Sequence, residues 1–117
     1  QIEYVTIVGN CFEGTTNSLI GIDLRAGTAG LGTGCQRFTV IGNTVLNFGS
    51  SGIETFNRSG VLQGVIGGNI IRNNTGWGVS LGSLTNSVIV QNNSVTANTA
   101  GSVRDLDGNN SIVDNIF

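Results

Sequence analysis

The sequence predicts an all-β chain wound into a parallel β-helix, a solenoid of about five coils with three short strands in each. Three observations carry this expectation. The composition is that of strands and turns, since Lys, Met and His are absent while Gly, Asn, Thr, Ser, Val and Ile dominate. An Asn flanked by apolar residues recurs along the whole chain. The apolar flanks keep fixed distances from that Asn, which marks an internal repeat rather than chance clustering.

The first element of each repeat is an apolar strand ending in the Asn turn. "TIVGNCF", "TVIGNTV", "VIGGNII", "VQNNSV" and "VDNIF" place the anchors at Asn10, Asn43, Asn69, Asn93 and Asn115, at spacings of 33, 26, 24 and 22 residues. Three residues before each anchor stand Ile7, Val40, Ile66, Val90 and Ile112. The second element, a short strand, begins after the turn, and two residues past each anchor stand Phe12, Val45, Ile71, Val95 and Phe117. The third element follows a polar loop and carries Ile22, Ile53, Val79 and Val103, the first three entered through Gly21, Gly52 and Gly78. Variable loops then lead to the next coil and absorb the drift in spacing.

Stacking such coils sets each strand beside its counterpart one turn on, parallel and about 4.8 Å away. One coil cannot bury its apolar residues alone, but neighbours can. The anchor Asn is expected to hold the bend, to adopt left-handed backbone angles and to bond side chain to side chain with the Asn of adjacent coils. Leucine-rich repeats have a similar period but require a recurring Leu that this chain lacks.

The 117 residues fit one domain spanning 1–117. A start at Gln1 rather than Met and an end at Phe117 inside a repeat lead us to expect a processed product or part of a longer protein. Five Arg against seven Asp and Glu give a net charge of −2 and no basic field, so neither nucleic acid nor a membrane is an expected partner. No apolar stretch approaches the length of a bilayer span. Two cysteines, Cys11 and Cys35, make no disulfide framework, and no His is present to complete a zinc site, so no metal and no cofactor are expected. Four Asn-x-Ser/Thr sequons, at Asn57, Asn73, Asn92 and Asn109, are what such a composition produces by itself, and Asn57 is placed in a loop.

Through "GNCF", "GNTV", "GNII", "NNSV" and "DNIF", the pattern resembles the right-handed parallel β-helix of the pectate-lyase-like superfamily from Ile2 to Phe117. That superfamily includes pectin-degrading enzymes, alginate epimerases and the tailspike depolymerases of bacteriophages. The resemblance implies a right-handed coil, polysaccharide bound along the outer face of one sheet, and an extracellular or virion location. Phage members are usually trimers, and fewer than five full coils leave unpaired backbone and apolar side chains at both ends, Ile116 and Phe117 at one of them, so a homotrimer or stacking against further β-helix is expected. Without His or a compact acidic cluster, lyase and epimerase chemistry is disfavoured, and a glycoside hydrolase built from Asp and Glu remains.

Strand alternation locates where such chemistry would sit. If the third-strand column points inward, the next residues point outward and form a stacked row of Asp23, Glu54, Ser80 and Arg104. Asp23 and Glu54 on adjacent coils are the candidate catalytic carboxylates, one protonating a leaving oxygen and the other acting as nucleophile or as base on water. Ser80, Arg104 and Trp77 are the candidate substrate-binding residues, Arg104 for an acidic or phosphorylated sugar and Trp77, in the loop before Gly78, for stacking. An outward strand position is also polar in any half-exposed sheet, so a purely structural segment of a fibre, spike or surface coat stands as the alternative. Strict alternation would turn Asp105 inward, so the third strand of that coil is expected to end at Arg104 or to carry a bulge before Leu106. "DLDGNN" from Asp105 reads as a turn rather than a calcium loop, and "GTAGLGTG" from Gly27 as part of a long excursion beside the row.

Overall fold

A computed structural model describes residues 4–26, 37–57, 62–83 and 85–117. The chain climbs in coils of three strands. The first coil is β1 (Tyr4–Val8), β2 (Cys11–Glu13) and β3 (Ile22–Ala26), and the second is β4 (Arg37–Ile41), β5 (Thr44–Leu46) and β6 (Ile53–Asn57). The third is β7 (Leu62–Gly67), β8 (Ile70–Arg72) and β9 (Trp77–Leu81). The fourth is β10 (Thr85–Gln91), β11 (Ser94–Thr96) and β12 (Gly101–Asp105), and β13 (Ser111–Val113) opens a fifth. Every third strand pairs in parallel, giving sheets β1-β4-β7-β10-β13, β2-β5-β8-β11 and β3-β6-β9-β12. This is a parallel β-helix, and no helix occurs among the described residues.

The apolar columns meet along the axis. Val40, Ile66 and Val90 of the first sheet, Val45, Ile71 and Val95 of the second, and Ile53 and Val79 of the third are all fully buried. Each such side chain contributes about 1.5–3 kcal/mol by leaving water. At the last coil the same columns run out of neighbours, and Ile112 and Phe117 are 37% and 64% exposed. The entry glycines are required by the approach of the coils. A Cβ on Gly52 would lie 2.6 Å from Ile71 Cγ2, and one on Gly78 would collide with Val95 Cγ1. In the fourth coil, where no further third-sheet strand is stacked, Ser102 takes that place.

The anchors form a continuous ladder. Each Asn accepts, on Oδ1, both the backbone N–H and the Nδ2–H of the Asn one coil earlier: Asn43 from Asn10, Asn69 from Asn43, Asn93 from Asn69 and Asn115 from Asn93. Each Nδ2 also reaches back to the carbonyl of the apolar residue three before the previous anchor, as Asn69 does to Val40 at 3.0 Å and Asn93 to Ile66 at 2.9 Å. The left-handed backbone angle belongs to a different residue than expected. It falls on the position before each anchor, at Gly9, Gly42, Gly68, Asn92 and Asp114, with φ between 51° and 69°. Turning the chain there lets the anchor itself keep ordinary angles while its amide lies along the stack.

A second ladder uses the same device five residues later. Asn47, Asn73 and Ala97 are left-handed, at φ 64°, 59° and 54°, and the residue after each enters a hydrogen-bonded column. Asn98 Oδ1 accepts from Asn74 N and Nδ2, and Asn74 Oδ1 accepts from Phe48 N, where the column ends in an aromatic ring. Two of the sequons are by-products of this geometry. In "NNT" from Asn73 and "NNS" from Asn92, a left-handed Asn simply precedes a ladder Asn. Asn57, expected in a loop, is instead the last residue of β6. Trp77 likewise opens β9 rather than preceding it.

Candidate functional site

The third sheet carries the outward row in the expected register. Asp23 pairs with Glu54, Glu54 with Ser80, and Ser80 with Arg104. The inward partners Ile22, Ile53 and Val79 are buried, so alternation fixes the four side chains on the outer face of β3, β6, β9 and β12. Neighbouring backbones stand about 4.8 Å apart, which sets the Asp23–Glu54 pair one strand spacing apart and Glu54 two spacings from Arg104.

The row is electrostatically polarised. At one end Arg25 donates from Nε to Asp23 Oδ2 at 2.6 Å, an ion pair made possible because residues two apart on a strand share a face. Arg25 was not among the residues expected at the site, although its spacing from Asp23 is visible in the sequence. Glu54 is half-buried and, among the described residues, has no hydrogen-bond or ionic partner. At the other end Arg104 donates from Nε and Nη2 to Ser80 Oγ at 3.2 and 2.8 Å, and its Cζ lies 5.8 Å from the Trp77 ring centroid. That is within range of a cation–π contact, worth about 0.5–1 kcal/mol or more as the pair loses water.

These contacts change what each residue offers. Ser80 lies in the outward row but is buried, its hydroxyl serving as the acceptor that fixes Arg104. Trp77 is half-buried: its indole interacts with Arg104 and packs so closely on Gly101 that a Cβ there would lie 2.5 Å from Cζ3. Trp77 therefore braces the guanidinium as well as presenting a ring beside it. The structure thus gathers Arg104, Ser80 and Trp77 into one group and Asp23, Arg25 and Glu54 into another, along a single strip.

Asp105 plays a local part. β12 runs through it, without the early end or bulge that alternation had required. Its carboxylate accepts from Asn110 Nδ2 and from the backbone N–H groups of Asp107, Gly108 and Asn110, closing the "DLDGNN" turn. Burial pushes its pKa up, but these four hydrogen bonds together outweigh it and hold the carboxyl below the usual aspartate value. Among the described residues no three His, Cys, Asp or Glu side chains come together to hold a metal ion. Cys11 is exposed, while Cys35 and the excursion from Gly27 lie outside the described residues. No described helix is long and apolar enough to cross a membrane. Comparison with protein-family models, curated proteins and solved structures finds no match.

Proposed function

We propose that this chain is a polysaccharide-recognising β-helix module, of the kind carried by phage tailspikes or secreted depolymerases, and that it holds its glycan along the outer face of the third sheet. The observation that carries this reading is the in-register strip Asp23, Glu54, Ser80 and Arg104, with Arg104 fixed by Ser80 and Trp77. An in-register run of outward polar positions at a repeat of about 4.8 Å suits an extended polymer better than a compact small molecule. The resemblance to the pectate-lyase-like superfamily, with its extracellular and virion-borne members, favours the same ligand class.

Should the strip also cleave, occupancy assigns the roles. Glu54, without a partner among the described residues, is the carboxyl that would hand a proton to a leaving glycosidic oxygen. Asp23, oriented by Arg25, faces the sugar as nucleophile or as base on water. A second reading, a structural segment that only extends and stiffens a fibre, is favoured by the mutual engagement of Arg104 with Ser80 and Trp77 and of Asp23 with Arg25. In either case exposed Ile112, Ile116 and Phe117 on the last coil favour a homotrimer or stacking against further β-helix, which sedimentation of the same preparation measures.

A glycan array followed by a reducing-end assay separates these readings. Glycan recognition requires retention of at least one surface polysaccharide and its weakening in Arg104→Gln. Hydrolysis further requires new reducing ends that disappear in Asp23→Asn and Glu54→Gln while the thermal midpoint stays unchanged. An array with no bound glycan for the assembled protein leaves the structural reading.

A further inference from the structure

Within the strip, Glu54 and Arg104 carry opposite charges that no ion pair among the described residues neutralises, and that asymmetry constrains the repeat unit of the ligand. Of the five N–H groups of a guanidinium, Arg104 commits one from Nε and one from Nη2 to Ser80 Oγ. The remaining three face no carboxylate among the described residues, where the one ion pair is Arg25 with Asp23. The group is half-buried, hydrogen-bonded to Ser80 and set beside the Trp77 ring, so less rotamer freedom is left to lose when an anion binds in its plane. Glu54 is the opposite case, a half-buried carboxyl that makes no ion pair among the described residues. From β6 to β12 the separation is two strand spacings, about 10 Å. This is close to the Debye length at physiological salt, so a ligand meets the two charges as separate local fields.

Resting on the glycan reading above, we infer that the ligand is an acidic heteropolysaccharide whose charged residues are set apart by neutral ones and do not recur at every second sugar: the acid group sits on Arg104 and a neutral sugar, about two sugar lengths along, lies over Glu54. A polymer charged on every residue would place an anion against Glu54, where like charges repel. A wholly neutral polymer would leave the guanidinium without the oxyanion its geometry fits.

The probes are a panel of acidic bacterial heteroglycans, the same polymers after reduction of their carboxyls to alcohols, and polygalacturonate, which is charged on every residue. The expected result is retention of a heteroglycan, at least tenfold weaker binding after carboxyl reduction, and at least tenfold weaker binding of polygalacturonate. Arg104→Gln should abolish the preference for the acidic form. Arg104→Lys, which keeps the charge but loses the planar fork, should retain part of it and controls for loss of the Trp77 brace. Glu54→Gln should narrow the gap between heteroglycan and polygalacturonate. Equal binding of the reduced polymer, or polygalacturonate bound as tightly as any heteroglycan, overturns this inference and leaves glycan recognition standing. Retention of no glycan overturns both.

Discussion

Replacing Asn69 by Ala tests the ladder at its centre. Asn69 is buried, with 1% of its surface exposed, and its side chain makes four hydrogen bonds. Oδ1 accepts from Asn43 N at 2.8 Å and Asn43 Nδ2 at 3.1 Å, and Nδ2 donates to Val40 O at 3.0 Å and Asn93 Oδ1 at 2.9 Å. The losses are unequal. Asn43 Nδ2 keeps Ile7 O and Ile41 O, and Asn93 Oδ1 keeps the backbone N–H of Asn69. The Asn43 backbone N–H keeps nothing and is buried in the stack. One orphaned buried donor costs about 1–3 kcal/mol, and the other three bonds add roughly 0.5–1.5 kcal/mol apiece before water fills the space left by the amide. A net destabilisation on the order of 3 kcal/mol follows, a large share of the 5–15 kcal/mol that holds an ordinary domain together.

The comparison that gives this number meaning is Asn115→Ala. Asn115 also makes four bonds, to Asn93 N, Asn93 Nδ2, Val90 O and Val113 O, but it is half-buried at the last coil. Water replaces the amide there, and the cost should fall to about 1 kcal/mol. Asn17→Ala, at an exposed turn outside both ladders, should stay within about 0.5 kcal/mol of the parent. Urea denaturation followed by far-ultraviolet circular dichroism measures all three. Equal shifts for Asn69→Ala and Asn115→Ala would refute the argument that burial of the orphaned groups, rather than bond count, sets the energy.

Ala97 is left-handed at φ 54° without the compensation that Gly or Asn brings. Ala97→Gly should therefore raise stability by about 0.5–1 kcal/mol, and Gly68→Ala, at φ 62° with nothing within 4 Å of the added Cβ, should lower it by about 1–2 kcal/mol through backbone strain alone; thermal midpoints of the two variants should move in opposite directions. Asp105 gives a pH dependence of definite sign. Its folded pKa is depressed, so its stabilisation is complete above the ordinary aspartate range and is lost as pH falls through the lower folded value. Asp105→Asn should thus differ from the parent at neutral pH and converge with it in strong acid, as read from midpoints between pH 7 and pH 2.5; a constant difference across that range would show that the carboxylate charge plays no part.

The solenoid was legible because its architecture is written in columns. Two apolar columns and one Asn column survive large changes in loop length, since stacking demands identity of place and not of spacing. The second ladder was written in the same form, at five residues past Asn69 and Asn93, but was hidden because its third member is Phe48 and its first coil has Thr15. The left-handed positions were hidden by variety, because Gly, Asn, Asp and Ala all occupy them and no single letter marks the turn. What betrays them is the neighbour: in both corners the left-handed residue immediately precedes a column position.

The site was legible to the level of placement and no further. Alternation put Asp23, Glu54, Ser80 and Arg104 on one face, and the register of β3, β6, β9 and β12 bears that out. What alternation cannot express is which neighbours use up one another's hydrogen-bonding capacity. Ser80 and Arg104 are outward residues of equal rank in the sequence, yet one is buried beneath the other, and Arg25, itself exposed, is paired with Asp23. Each engagement depends on the reach of a long arginine side chain, along β3 for Arg25 and across a strand spacing for Arg104, a length that a pattern of inward and outward positions does not contain. The groups that those contacts leave without a partner among the described residues are the carboxyl of Glu54 and the outer edge of the Arg104 guanidinium.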